Sequence, residues 1–188
     1  MMFKNNLYII FFLLVFIYGC SSSTDDIRDN DIEKQDIFEV AKEEQKNKMY
    51  SKESDSTVAY WSNNKIIRAG NHTKCNIYAL NTLYKAGYLC PKEYILTKDL
   101  FDTAKFDDIL KIIKINKNSE ILSGDLVVWN GHVIIFQKLL ILNNTEYALA
   151  YWAGTSQPDN GEEIINNVKY GKYKLEGYFI IRRPKKRI

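Results

Sequence analysis

The chain has 188 residues and a formal net charge of +3, from 26 Lys and Arg against 23 Asp and Glu. That balance excludes the strongly basic footprint of a nucleic-acid binder. Three cysteines and two histidines show no zinc-ligand spacing, and no glycine-rich loop suggests a nucleotide, so neither metal nor cofactor is expected.

The first nineteen residues read as a secretory signal rather than as part of the fold. Lys4 provides a basic start, "LYIIFFLLVFIY" is an unbroken apolar run, and Gly19 precedes Cys20. The run falls short of the ~20 apolar residues of a spanning helix. The ending "IYGC" resembles the lipobox of bacterial lipoproteins. That resemblance implies a lipid on Cys20, holding the mature chain to a membrane; an uncleaved anchor helix is the alternative. Both place the remainder outside the cytoplasm, in the cell envelope. Removing residues 1–19 takes away one Lys and no acid, so the charge goes from +3 to +2. "SSSTDDIRDNDIEKQD" has little to bury and reads as a polar tether over 20–36. Residues 37–188 then form one domain of ordinary size, with no internal repeat.

"DIFEVAKEEQKNKMYSK" reads as a charged amphipathic helix. "DSTVAYWSNNKIIRAG" reads as a second, capped by Asp55 or Ser56 and ended by Gly70. In "KCNIYALNTLYKAG", Ile77, Leu80, Leu83 and Tyr84 make one stripe at helical spacing. Lys85 falls in the last turn and Gly87 where a left-handed cap belongs, so a helix is expected over 75–86. "LTKDLFDTAKFDDILKIIK" suggests one or two short helices. From Ser123 the character changes. "GDLVVWNGHVIIFQKLLIL" and "TEYALAYWAG" are rich in β-branched and aromatic residues, with Asn143-Asn144 as a turn between them. "IINNVKYGKY" and "GYFIIRR" add two more strands. Helices first and an antiparallel sheet after is the α+β pattern. The basic ending "RRPKKRI" reads as a solvated tail, or as a point of attraction for anionic envelope polymer.

Cys75 opens the 75–86 helix, and three readings compete for it. A disulfide to Cys90 meets a geometric obstacle. The helix is ~16–18 Å long, a bridge needs Cα atoms within ~7 Å, and the two cysteines lie at opposite ends. A buried apolar filler is the ordinary fate of a free cysteine and suits Cys90. A nucleophile suits Cys75, because unpaired N–H groups and the macrodipole favour an anion in a first turn, and Lys74 adds charge next door. A thiolate nucleophile needs a base. His72 shares the loop with Cys75 and reads as exposed or cleft-lining. His132 opens the apolar strand "HVIIFQK", where it is either a satisfied edge histidine or a ring that reaches out of the sheet.

Taken together, "HTKCNIYALNTLYKAGY" and "SGDLVVWNGHVIIF" resemble the cysteine helix, Gly-Asp turn and Gly-His-Val strand of the NlpC/P60 and CHAP superfamily of papain-like peptidases and amidases. The first block is similar to the cell-wall amidase branch with its Lys-Cys-Asn start, and "GYFIIRRP" is similar to the closing strand. The likeness runs from about Val58 to Pro184. The spacing, 132 − 75 = 57 residues, is that of a compact member; papain and cathepsins use ~130–150. The resemblance implies a papain-like fold and hydrolysis of amide bonds in peptidoglycan peptides, with Cys75 as nucleophile and His132 as base. A catalytically silent copy that binds envelope polymer or a partner protein is the alternative. In the family a polar residue on the next strand orients the base. A two-residue turn at Asn143-Asn144 makes facing positions sum to 287, which puts Thr155 opposite His132; a three-residue turn gives Ser156. A backbone carbonyl is the remaining possibility. Asn71 and Asn76 flank Cys75 as candidate substrate or oxyanion contacts, beside the backbone N–H of Cys75 itself. Trp152, with Trp129 and Tyr60, is a candidate groove wall. Asp125 reads as a turn former.

Overall fold

Among the described residues, three Asn-Asn pairs punctuate the chain. Asn63-Asn64, Asn143-Asn144 and Asn166-Asn167 all adopt positive φ, between 48° and 68°. Asn tolerates this left-handed region better than other residues with a Cβ, because its short amide bonds locally. In the computed structural model, which describes residues 36–70, 74–154 and 163–188, each pair reverses the chain between two antiparallel strands.

Helix α1 (Ile37–Gln45) is capped by Asp36, whose carboxylate accepts the Phe38 N–H at 2.9 Å. A 3-10 turn at Lys48–Tyr50 follows. The segment 55–70 is a β-hairpin, not the helix expected from its sequence: β1 is Ser56–Ala59 and β2 is Lys65–Arg68. Neither Asp55 nor Ser56 caps a helix there, and Gly70 ends none. Thr57, Val58, Ile66 and Ile67 are β-branched and prefer extended backbone, and the left-handed Asn63-Asn64 pair interrupts any helix. Helix α2 (Cys75–Lys85) matches the expected span. It ends in a Schellman motif: Gly87 sits at φ +80°, its N–H bonds Tyr84 C=O, and the Tyr88 N–H bonds Leu83 C=O. The expected helical stretch 96–114 splits. Thr97–Phe101 is helix α3, whereas Leu110–Ile113 is strand β3. The run "LKII" supplies the β-branched pair that suits the sheet edge.

The remaining strands are β4 (Leu126–Trp129), β5 (His132–Leu142), β6 (Thr145–Ala153), β7 (Glu163–Ile165), β8 (Val168–Lys174) and β9 (Ile180–Pro184). With β3 they form one seven-stranded antiparallel sheet in the order β3-β9-β4-β5-β6-β8-β7. The architecture is α+β. Alternation along the strands separates two cores. Val128, Val133, Ile135 and Tyr151 face α1 and α2, in a cluster with Cys75, Ile77 and Leu80. Val127, Ile134, Phe136 and Trp152 face the other way, in a second cluster.

Two buried cations hold loops in place through backbone carbonyls. Arg182 is fully buried and donates to the carbonyls of Leu100, Asp102, Lys105 and Leu110, which fixes the path from α3 to β3. Lys74 does the same for the loop after the 3-10 turn. The basic C-terminus is not a free tail. Leu89 N–H bonds Lys185 C=O at 2.8 Å, Arg187 N–H bonds Gly87 C=O at 2.8 Å, and Lys186 and Arg187 lie over the rings of Tyr88 and Tyr84.

Candidate active site

Cys75 is the first residue of α2, and its side chain is fully buried. Its Sγ lies 3.6 Å from Thr97 Oγ1 and 3.9 Å from the carbonyl oxygen of Gly131. Thr97 opens α3, and the segment before it is tied to α2 by Asn76, whose Nδ2 donates to Ile95 C=O at 2.7 Å. Gly131 belongs to the Asn130-Gly131 reversal between Trp129 and His132, which are paired across β4 and β5. At φ +108° it holds a conformation that favours glycine. The fold therefore brings the helix with Cys75 against the turn that starts the His132 strand.

The imidazole, however, is turned away from the sulfur. Val133 and Ile135 face α2, so alternation sends His132 to the side of Ile134 and Phe136. Its ring stacks on Tyr173, with centroids 5.2 Å apart and planes 19° from parallel, and lies 6.4 Å from Trp129. Both partners pack against the second cluster. Nε2 is buried and has no hydrogen-bond partner among the described residues, and burial pushes the pKa of His132 down to about 4. The ring is neutral at pH 7 and shares no hydrogen bond with Cys75.

Tyr173 is the aromatic ring stacked on this imidazole. Its ring covers His132, and its phenol is raised above the ordinary value, first by burial and then by charge on Cys75. Nothing in the sequence marked this residue; the only signal was a strand with two tyrosines, "VKYGKYK".

Lys74 does not present its charge to the sulfur. Its buried ammonium donates to the carbonyls of Met49, Ser51 and Ser54 at 3.0, 2.7 and 2.9 Å, and desolvation lowers its pKa. Trp152 is 4% exposed, edge-on to Tyr173 at 5.1 Å and under the Lys169 ammonium. It belongs to the second cluster, not to a groove wall. Trp129 also packs there, with its indole N–H on Glu176 C=O at 2.9 Å. Tyr60 carries Lys85 over its ring at 4.3 Å. Asp125 is the turn former expected: Oδ2 accepts the Leu122 N–H at 2.9 Å, and the carboxylate takes a bidentate pair from Arg183. Cys90 is free, as is Cys75, so the two form no disulfide. Burial pushes the Cys90 thiol up to about 12, as befits a filler.

Asn71, His72, Thr155, Ser156 and Cys20 lie outside the described residues. The register argument that selected Thr155 needs correction. The Asn143-Asn144 hairpin has the expected two-residue loop, and paired positions sum to 287 from Leu142↔Thr145 to Lys138↔Leu149. A bulge between Phe136 and Lys138 then shifts the sum to 286, as in Ile135↔Tyr151. Extended to His132, that register reaches Gly154, which has no side chain to orient an imidazole.

Beside the sulfur runs a groove of about 420 Å³, bordered by Ile67 and Arg68 of β2, Asn76, Thr97, Lys98 and Gly131. Two of these residues, Thr97 and Gly131, touch Sγ. A larger cavity of about 600 Å³ lies over the 48–58 segment, and Cys75 itself lines neither of the two. Among the described residues, no group of three or more His, Cys, Asp and Glu is placed to hold a metal ion. No protein-family model, curated protein or solved structure matches this chain.

Proposed function

We propose that this chain is an extracytoplasmic cysteine hydrolase of the papain-like NlpC/P60 type, cutting amide bonds in peptidoglycan peptides. One observation carries the reading: Cys75, at the start of α2, abuts the Gly131 turn that begins the His132 strand, next to an open groove. In the reaction, Sγ attacks the scissile carbonyl carbon and its proton passes to the imidazole. The C–N bond then breaks, the departing amine takes that proton, and water hydrolyses the thioester. The Cys75 backbone N–H at the helix start serves the oxyanion. A neutral His132 has the lone pair that a general base needs. For this chemistry the ring must leave Tyr173 and turn toward Sγ, and among the described residues no charged side chain is bonded to it. A lipid on Cys20 would hold the enzyme at the membrane that faces its polymer.

The catalytically silent reading is favoured by a different observation. Cys75 is fully buried and makes no hydrogen bond to His132. The two readings separate when the full chain is incubated with purified sacculi and released muropeptides are measured. Hydrolysis predicts release by the native chain and none by a folded Cys75→Ala variant. Equal signals from the two proteins would end the enzymatic reading and leave a polymer- or partner-binding lipoprotein.

A further inference from the structure

The groove beside Cys75 has a sign and a polarity. Among the described residues, its titratable border residues are Arg68, at the end of β2, Lys98, in the first turn of α3, and Tyr94, and none is a carboxylate. Both cations are exposed, and among the described residues neither is held in an ion pair with an acid. The nearest acid on α3, Asp99, is already engaged by the Leu96 N–H at 2.9 Å and by Lys105 at 2.8 Å. An apolar stretch adjoins the two cations. Tyr94 is stacked on the buried Trp61 at 6.1 Å, and Ile67 and Leu96 continue that surface. Asn76 is buried, and one of its two amide N–H groups is given to Ile95 C=O.

The geometry points to a carboxylate-reading subsite: Arg68 and Lys98 receive an acidic residue of the bound peptide, while Tyr94 and Leu96 receive an apolar neighbour. Two cations from separate elements, on a border with no acid among the described residues, favour an anion over a neutral or basic ligand. The guanidinium can engage both oxygens of a carboxylate at once, and the ammonium adds a point charge. This rests on the proposed hydrolase for its meaning as a substrate site, since a peptide lying here passes the sulfur. The peptide's acid would then set which bond reaches Cys75.

The test measures binding separately from turnover. The full chain is titrated calorimetrically, in low salt, with acetyl-Ala-Glu-Ala-amide and with its Gln counterpart. The subsite predicts clear preference for the Glu peptide, lost as salt rises. It also predicts a fall in Glu-peptide affinity on the order of fivefold for each of Arg68→Gln and Lys98→Gln, with the Gln peptide unaffected. Arg68→Lys is predicted to recover part of the loss. Equal affinity for the two peptides, or a preference that survives both substitutions, overturns the subsite. Sacculus hydrolysis by the same preparations reports on the other reading: release without Glu preference leaves the hydrolase and removes the subsite, and Glu preference without release does the reverse.

Discussion

His132 is held in its neutral form by burial, and that has a consequence for acid stability. Its folded pKa is about 4, below the ordinary 6.5. Above pH 6.5 neither the folded nor the unfolded state binds the proton, and the residue costs nothing. As pH falls from 6.5 toward 4, the unfolded chain gains the proton first, so stability declines across that window and levels below it. The loss is roughly 3 kcal/mol at most. Urea unfolding at pH 7 and pH 4 is expected to show that loss in the native chain and to show it reduced in His132→Gln; parallel pH profiles for the two proteins would contradict the buried imidazole. Lys74 makes the converse point, that a charge adjacent in sequence need not be adjacent in space. Its ammonium serves three carbonyls of the 49–54 loop. Lys74→Met leaves those carbonyls without their donor and is expected to cost about 2–3 kcal/mol, read as a lowered urea midpoint. An unchanged midpoint would mean that the loop does not depend on it.

At the scale of elements, the short local signals held where the chain closes on itself within a few residues. Gly87 has no atom within 4 Å of where a Cβ would stand, so its role is conformational alone. Gly87→Ala is therefore expected to cost about 1 kcal/mol through the positive φ, with no change in packing. The Asn143-Asn144 hairpin follows the same logic. Asn144→Gly is expected to keep or slightly raise stability, whereas Asn144→Val costs about 1–2 kcal/mol, because a β-branched residue resists φ 60°. Thermal unfolding of the two variants checks the sign of each; equal effects would argue against the left-handed turn.

Across the molecule, what was legible in the sequence was what is set locally or by long periodicity. Helix α2 with its cap, the β5–β6 hairpin, β9 and the antiparallel character of the second half fall in that class. The 55–70 segment misled because two short runs of β-branched residues satisfy a helical stripe as readily as two strands, and the Asn-Asn turn between them decides. β3 was hidden the same way, since only its pairing with β9 makes "LKII" a strand. The candidate site was legible as two residues, Cys75 and His132, whose elements do meet. Their relative orientation was not legible. The side of the sheet that His132 takes depends on which neighbours face α2, and the residue opposite it depends on a bulge at Gln137 that no local pattern announces. Tyr173 was missed for a related reason: it reaches His132 from another strand.

The proposed hydrolysis requires the Cys75 thiol, buried in this structure, to become reachable through the groove at Gly131 and Thr97 and to react there. Peptide mapping after brief exposure of the folded full chain to iodoacetamide at pH 7 tests it directly. Modification of Cys75 well ahead of Cys90, and slower in a folded His132→Ala variant, is the predicted result. Protection of Cys75 as complete as that of Cys90, for as long as the chain stays folded, would contradict it.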